Sequence, residues 1–318
     1  MKKVFASQDD TKDKKISFTK IAEGCYAYTA EGDPNSGVVI GEKGVMVIEA
    51  QATPLIAKDV IKKIRSVTDL PITHLVLTHY HAVRVLGAAE YKAKEIICST
   101  KTLELIAERG EQDWLSEFER FPRLFRGHES IEGLTMPTHI FDKKMSIDLG
   151  NRKVELLAVG EGHTKGDSIV WVPDSKTMFS GDLVENGATP YCGDANLTQW
   201  PKTLKKLSKM KPEALVTGRG DAIVGKKKAQ AAISMTKDFV EQLLAEAHRC
   251  VKKKYSLKQC YDHTMKKMKS KYGQWVIFDH CMPFNVKRAY DEANGIRHPK
   301  IWTQEIDLQM WNLLNSKN

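Results

Sequence analysis

Apolar and polar residues alternate in short runs over the first part of the chain. A polar leader, residues 1–15, is followed by four runs rich in β-branched and aromatic residues, each bounded by turn residues. The runs occupy positions 16–18, 25–29, 37–40 and 45–48. This spacing is typical of a β-meander. Residues 55–67 have a helical pattern, and an apolar run at 72–77 follows Pro71, which predicts a helix and then a buried strand.

The middle of the chain repeats this alternation. Residues 100–124 predict one or two helices interrupted at Arg109-Gly110, and residues 127–137 predict a polar loop. Strand patterns return at positions 145–149, 153–158, 169–172, 177–179 and 214–216, with a helix predicted at 197–210. Alternating strands and helices indicate a layered α/β fold.

The pattern changes after residue 225. Residues 226–318 are helical in periodicity almost throughout, and they contain well-spaced aromatic residues. These are Trp275, Phe278, Phe284, Trp302 and Trp311. We therefore predict an α/β domain over residues 16–225 and a C-terminal helical module, 226–318, packed on its core.

Composition narrows the classes of function. The chain has 318 residues, 42% of them hydrophobic, and a net charge of +9. The excess lysines lie in helical clusters without interleaved aromatic residues, which indicates solvated helix faces and predicts no nucleic-acid partner. No apolar run approaches the roughly 18 residues that would span a bilayer, and no signal-peptide pattern opens the chain, so no membrane association and a cytoplasmic location are expected. The six cysteines lack metal-site spacing and are expected to be free, mostly buried thiols.

Candidate chemistry is concentrated at strand ends. His79 and His81 follow the predicted strand 72–77, while His163 and Asp182 lie on short loops beside glycines. Three neutral imidazoles suit zinc and leave a fourth position for water or a carboxylate. The pattern therefore predicts a metal site.

These residues and their context resemble the metallo-β-lactamase superfamily. The resemblance rests on four segments in the family's order and approximate spacing, after the β-meander. They are Thr78-His79-Tyr80-His81, the 162–167 loop Gly-His-Thr-Lys-Gly-Asp, Ser180-Gly181-Asp182 and Gly218-Arg219-Gly220. The resemblance implies an αββα sandwich with an additional C-terminal helical module.

The sequence departs from the family at the second of its two metal sites. The resemblance implies that His79, His81 and His163 bind the first metal and that Asp182 is the bridging carboxylate. The second-site positions hold instead Val83, Arg84 and Arg219. A guanidinium group offers only donors and does not bind a metal. A single ion is therefore expected, zinc first and iron as the alternative.

Two roles are open for the arginines. Arg84 and Arg219 bind an anionic group of the substrate in one interpretation. In the other, they neutralise Asp182 and lock the site.

The leading functional prediction is a mononuclear metal-dependent hydrolase of a small anionic ester, thioester or lactone. Its catalytic residue is Asp182, which accepts a proton or completes the coordination of the metal. One alternative is an iron enzyme similar to the superfamily's persulfide dioxygenases. Another is a member that binds a ligand without catalysis. Hydrolysis of β-lactams is not expected, and the helical module is a candidate surface for homo-oligomer formation.

Overall fold

Three groups of buried apolar side chains define the layers of the molecule. The computed structural model describes residues 5–316. One group joins the inner faces of two β-sheets, and each of the other two joins the outer face of one sheet to helices. The result is the predicted αββα sandwich, with further helices at the C-terminal end.

Thirteen strands and eight α-helices make up the described part of the chain. The strands are β1 Ile16–Ala22, β2 Cys25–Ala30, β3 Ser36–Gly41, β4 Gly44–Ile48, β5 Ile72–Leu77, β6 Glu95–Ser99, β7 His139–Phe141, β8 Lys144–Asp148, β9 Lys153–Ala158, β10 Ser168–Val172, β11 Thr177–Phe179, β12 Ala214–Val216 and β13 Ile223–Val224. The helices are α1 Pro54–Arg65, α2 Ala82–Val85, α3 Thr100–Arg120, α4 Trp200–Met210, α5 Lys226–Lys252, α6 Leu257–Tyr272, α7 Phe278–Ala293 and α8 Gln304–Asn315.

The strand order brings the ends of distant strands together. The first sheet has the order β1-β2-β3-β4-β5-β6-β7, and the second has the order β13-β12-β11-β10-β9-β8. Strands β4 to β7 are parallel, as are β11 and β12, whereas the other neighbouring strands are antiparallel. The segments after β5, β9, β11 and β12 carry the candidate residues.

Most strand predictions match the structure within two or three residues, but one helix differs. Helix α3 is continuous through Gly110, so the predicted interruption at Arg109-Gly110 is wrong. A Cβ atom at Gly110 would lie 3.1 Å from Leu134 Cδ1. The glycine therefore makes room for the loop that packs on the helix, and tertiary packing outweighs its low helix propensity.

The C-terminal helices share one core with the second sheet. Buried Trp200 of α4, Phe239 of α5 and Phe284 of α7 belong to the same apolar group as strand residues such as Met178. At the other end of the chain, Phe5 is buried against Trp311 of α8, with ring centroids 5.2 Å apart. Residues 1–4 of the predicted leader lie outside the described residues.

The state of the cysteines and the hydrophobicity of the helices follow from the described part of the structure. All six cysteines are buried and none forms a disulfide. Among the described residues, no helix combines the length and the hydrophobicity needed to cross a bilayer.

Candidate metal centre

His79 and His81 occupy the turn between strand β5 and helix α2. The strand ends at Leu77, and His81 is the N-cap of α2 with φ −57° and ψ 141°. Strand alternation therefore ends between the two histidines, and both side chains turn into the interior. They are 1% and 3% exposed, respectively.

His163 enters the same space from the loop between β9 and β10. The carboxylate of Asp167 accepts hydrogen bonds from the Thr164 backbone N–H at 3.0 Å and from the Thr164 hydroxyl at 2.6 Å. A Cβ atom at Gly162 would lie 2.5 Å from Leu183 Cδ2, so the loop requires glycine at this close approach. Asp167 thus braces the loop that presents His163, and burial raises its own pKa to about 7.

Asp194 holds His81 from the side opposite His163. His81 Nε2 lies 3.1 Å from Asp194 Oδ2. Asp194 also accepts hydrogen bonds from the Tyr80 hydroxyl at 2.7 Å and from Arg109 Nη1 at 3.3 Å. Burial alone would raise the pKa of Asp194, but the contacts with His81, Tyr80 and Arg109 lower it, so the carboxylate is ionised. It therefore accepts a hydrogen bond from Nε2–H, which leaves Nδ1 of a neutral His81 free to bind a metal.

Each of the other two rings also has a hydrogen-bond partner at one nitrogen, and for His163 this partner fixes the tautomer. His163 Nδ1 lies 2.8 Å from the carbonyl oxygen of Tyr191, which only accepts, so Nδ1 carries the proton and Nε2 is free. His79 Nδ1 lies 3.0 Å from the Thr78 hydroxyl, and its buried Nε2 has no hydrogen-bond partner.

One nitrogen of each ring lies within 4.8 Å of one nitrogen of each of the other two. His163 Nε2 and His81 Nδ1 are 2.9 Å apart. Tetrahedral zinc with Zn–N bonds of about 2.0–2.1 Å separates its ligand nitrogens by about 3.3 Å. The unpartnered Nε2 of His79 and the free nitrogens of His81 and His163 therefore fit a metal ion after shifts of the rings by less than about 1.5 Å.

Charge at the three histidines depends on their neighbours. Burial lowers the pKa of His79 well below its usual value, and burial with the charge on His81 lowers that of His163 to about 3. Burial would also lower the pKa of His81, but Asp113 and Asp194 outweigh it and raise the pKa to about 9. The proton of His81 Nδ1 faces His163 Nε2, and a metal ion held by the three rings would replace that proton.

Asp182 faces the three histidines from the short 3₁₀ segment Gly181–Leu183. Its Oδ2 atom lies 3.7 Å from His79 Nε2 and 3.7 Å from His163 Nε2. Burial would raise the pKa of Asp182, but the charges of Arg84, His79 and Arg219 lower it well below its usual value. The carboxylate is therefore ionised and stands beside the candidate metal position.

Comparisons with known proteins agree with this geometry. A family model described as the metallo-beta-lactamase superfamily matches residues 29–219. The chain belongs to the metallo-β-lactamase superfamily.

Individual relatives share the fold at low sequence identity. A metallo-beta-lactamase type 2 from Bacteroides fragilis is 24% identical over 221 residues, which cover 65% of this chain and 80% of that protein. One from Pseudomonas aeruginosa is 25% identical over 237 residues, covering 70% and 87%, respectively. The solved metallo-beta-lactamase of Pontibacter korlensis superposes with a TM-score of 0.57 and 20% identity, covering 71% of this chain and 99% of that structure.

Arg84 occupies a position where the resemblance to the superfamily places a ligand of the second metal. Its side chain is completely buried. The guanidinium donates to Asp182 Oδ1, to the Gly218 carbonyl at 2.8 Å and to the Asn35 carbonyl at 3.0 Å. A Cβ atom at Gly218 would lie 2.3 Å from Asp182 Oδ1, so only glycine allows this close arrangement.

Arg219 approaches Asp182 from the other side. Its Nη1 atom lies 3.1 Å from Asp182 Oδ2 and 3.5 Å from Glu185 Oε1. Burial and the charge of Asp182 raise the pKa of Glu185 well above its usual value. The two guanidinium groups thus contact Asp182, as in the locking interpretation of the sequence; a substrate-binding role for them stays a prediction.

A small chamber adjoins the histidines and is closed by other helices. Its volume is about 20 Å³, enough for about one water molecule but far below the roughly 300 Å³ of small ligand pockets. Phe121 and Glu117 close it from the α3 side, and Ile277, His280 and Cys281 close it from the α7 side. The C-terminal module therefore covers the candidate metal centre.

The largest described cavity is elsewhere. A space of about 460 Å³ lies between the leader, helix α1 and the segment after α3, and none of the three histidines lines it. We place the chemistry at the histidines, because ligand nitrogens and a fixed carboxylate meet there.

Several contacts of the site had no local signal in the sequence. Asp194, Tyr191 and Glu185 lie in a long irregular segment between Leu183 and α4, with no motif or periodicity around them. His139, a minor candidate from the sequence, lies exposed on β7 and lines neither the chamber nor the histidine cluster.

Proposed function

We propose that this protein is a metal-dependent hydrolase with a single metal ion held by His79, His81 and His163. The observation that carries the proposal is the convergence of one free nitrogen from each ring, while the opposite nitrogens contact Thr78, Asp194 and the Tyr191 carbonyl. Such outer contacts orient metal-binding histidines and raise their basicity. Zinc is the favoured ion because the ligands are three neutral imidazoles with a carboxylate beside them.

Zinc bound here would lower the pKa of a bound water to about 7 and polarise a substrate carbonyl. The chain's own residues do the rest. Asp194 keeps the proton of His81 on Nε2. Ionised Asp182 lies beside the histidines, where it would complete the coordination of the ion, and its lowered pKa makes it a poor proton acceptor. Arg219 lines the chamber and supplies positive charge for a developing oxyanion.

The proposed substrate is a small ester, thioester or lactone. The sequence predicts an anionic substrate if Arg84 and Arg219 bind it, whereas both guanidinium groups contact Asp182 in the structure. The proposal therefore keeps the carbonyl class and does not depend on a negative charge. Since the chamber holds about 20 Å³, the cover formed by α3 and α7 has to move before such a molecule enters.

Metal analysis of the purified protein tests the central claim. We expect about one zinc ion per chain, lost in His81→Ala and retained in His139→Ala, because His139 is an exposed histidine far from the cluster. Absence of stoichiometric metal, or equal retention in both variants, would contradict the proposal. Iron with oxygen consumption on a thiol or persulfide would favour the dioxygenase alternative.

Turnover tests the second half of the proposal. A panel of small esters, thioesters and lactones is expected to include a substrate whose hydrolysis depends on His81, while a chromogenic β-lactam is expected to be inert.

A specific observation favours a second candidate, a metal-binding member without catalysis: the chamber is closed and Asp182 is neutralised by two arginines. Stoichiometric zinc without turnover on the panel would support that candidate.

A further inference from the structure

A surface cleft lies directly outside the closed chamber. Its volume is about 270 Å³, and it is formed by the N-terminal 3₁₀ segment Ala6–Asp9 and by the residues that lead into α7. Ile277 and His280 line both this cleft and the chamber that contains His81 and Arg219. Two side chains therefore form the wall between solvent and the candidate metal centre.

Two further cavities share no lining residue with the chamber beside His81. The 460 Å³ cavity shares no lining residue with the chamber. A third cavity, of about 170 Å³, is lined by Glu108, Arg109 and Asp194 and also shares none. There, Asp194 is bound by Tyr80, His81 and Arg109, so a hydrogen-bonded layer separates the cavity from the histidines.

The wall of the outer cleft lacks such a layer. Ile277 has φ +59° and ψ 17°, a left-handed conformation that β-branched residues rarely adopt. Backbone strain of this kind persists where the surroundings impose it and is concentrated at functional sites. His280 is 3% exposed, and its buried Nδ1 has no hydrogen-bond partner. The His280 ring packs on Phe121, with ring centroids 4.0 Å apart, so its displacement costs ring packing but breaks no hydrogen bond of Nδ1.

Charge at the mouth of the cleft is negative. Asp10 and Asp279 line it together with Trp275, and no lysine or arginine among residues 5–316 does. Asp10 is paired with Lys14 at 2.9 Å and with Arg123 at 3.1 Å. Among residues 5–316, Asp279 is exposed and forms no ion pair of 4.0 Å or less, so of the two lining carboxylates it is the one without a paired cation.

We infer that small molecules reach the metal centre from this cleft by displacing Ile277 and His280, and that uncharged molecules enter faster than anions. The inference rests on the proposed metal site and specifies its substrate: a neutral carbonyl compound rather than an anionic one. Asp279 is the residue that selects by charge, and His280 is the residue that limits passage.

Zinc removal measures access without requiring a substrate. The zinc-loaded protein is mixed with an excess of neutral 1,10-phenanthroline or of dianionic dipicolinate, and the rate of zinc loss is followed with each. Asp279→Asn is expected to speed removal by dipicolinate several-fold and to leave phenanthroline unchanged, because only the anion is repelled at the mouth. The matched controls, Asp59→Asn at the 460 Å³ cavity and Glu108→Gln at the 170 Å³ cavity, are expected to leave both rates unchanged.

The wall is tested by two substitutions of opposite size. His280→Ala is expected to speed zinc removal by both chelators about tenfold, which corresponds to a barrier lowered by about 1.4 kcal/mol. His280→Phe fills the wall with a larger apolar ring and is expected to slow removal. General loss of stability would accelerate removal in both variants, so the opposite signs separate access from unfolding.

The outcomes distinguish this inference from the proposed function. If the protein binds no zinc, the proposed function fails before access is measured. If zinc binds but removal is insensitive to His280 and Asp279 and responds instead to Glu108→Gln, the metal site stands and the route proposed here is wrong.

Discussion

At the scale of single residues, the site depends on groups that do not themselves touch the metal position. Asp194 fixes His81, and Arg84 neutralises Asp182. These contacts decide which nitrogen of a ring is free and which charge is tolerated in a buried space. Each can be tested by a single substitution.

Asp194→Asn is expected to weaken zinc affinity about 10- to 100-fold, the usual effect of losing a carboxylate behind a metal-binding histidine. The amide no longer stabilises the proton on His81 Nε2 by charge. Competition with a chromophoric chelator measures the affinity. Asp262→Asn, an exposed change on α6, is the control, and equal affinities for the two variants would contradict the assigned role of Asp194.

Arg84→Ala is expected to destabilise the fold by about 3–5 kcal/mol at neutral pH, because it leaves the buried charge of Asp182 without its fully buried partner. Chemical denaturation measures the change. The double variant with Asp182→Asn should recover part of the loss, since the unpaired charge is then absent. A mild effect of Arg84→Ala, below about 1 kcal/mol, would show that Asp182 does not need this guanidinium.

The sequence predicted part of this residue-level picture. His79, His81, His163 and Asp182 were identifiable because each lies beside a strand end or a glycine turn, and the structure brings them together. Asp194 was not identifiable, since its role arises from a contact with His81 across 113 positions of the chain. Long-range contacts of irregular segments leave no periodic pattern in a sequence.

At the scale of secondary-structure elements, helices α3 and α8 dock through a buried ion pair. Arg120 Nε lies 3.3 Å from Asp307 Oδ2, and the two side chains are 1% and 0% exposed. Burial raises the pKa of Asp307 to about 6, although the charge of Arg120 opposes the shift. The docking of α8 therefore depends on pH.

The sign follows from linkage. The pKa of Asp307 in the folded state, about 6, exceeds its ordinary value of 3.8. Its contribution to stability is therefore fully present below pH 3.8 and is lost as pH rises through about 6. Asp307→Asn stays neutral throughout, so its stability relative to the parent should rise between about pH 4 and pH 6, by up to about 3 kcal/mol. Denaturant titrations at several pH values measure the free energy of unfolding of the variant and of the parent. Glu305→Gln, on the exposed side of α8, is the control. A free-energy difference between Asp307→Asn and the parent that does not change with pH would contradict the prediction.

The sequence predicted some strands with their observed bounds and missed others. Strands β5, β9, β11 and β12 were predicted with their observed bounds, because continuous or alternating apolar runs mark them. Strand β6, Glu95–Ser99, and the short edge strand β7, His139–Phe141, were not predicted. Their few residues give too little pattern, and pairing with neighbouring strands defines them instead.

At the scale of the whole molecule, the helical module and the second sheet share one apolar core. Trp200 and Leu215 of the α/β part pack in the same buried group as Phe239 and Phe284 of the module. A fragment ending at residue 225 would expose this apolar surface. We expect it to be insoluble or molten, with loss of near-ultraviolet circular dichroism, whereas a soluble fragment with a cooperative unfolding transition would show that the α/β part folds alone.

The contact between Phe5 and Trp311 has a practical consequence for anyone purifying this protein. The amino end of the described chain packs on the last helix, and the residues just after it, Ala6 and Ser7, line the outer cleft. An affinity tag fused at the amino terminus would be joined to Phe5 through four residues only, which is short enough for its histidines to reach the cleft, capture metal and obstruct entry. Assays of metal content and turnover should therefore use tag-free material, and a zinc stoichiometry that changes on tag cleavage would report the tag rather than the centre.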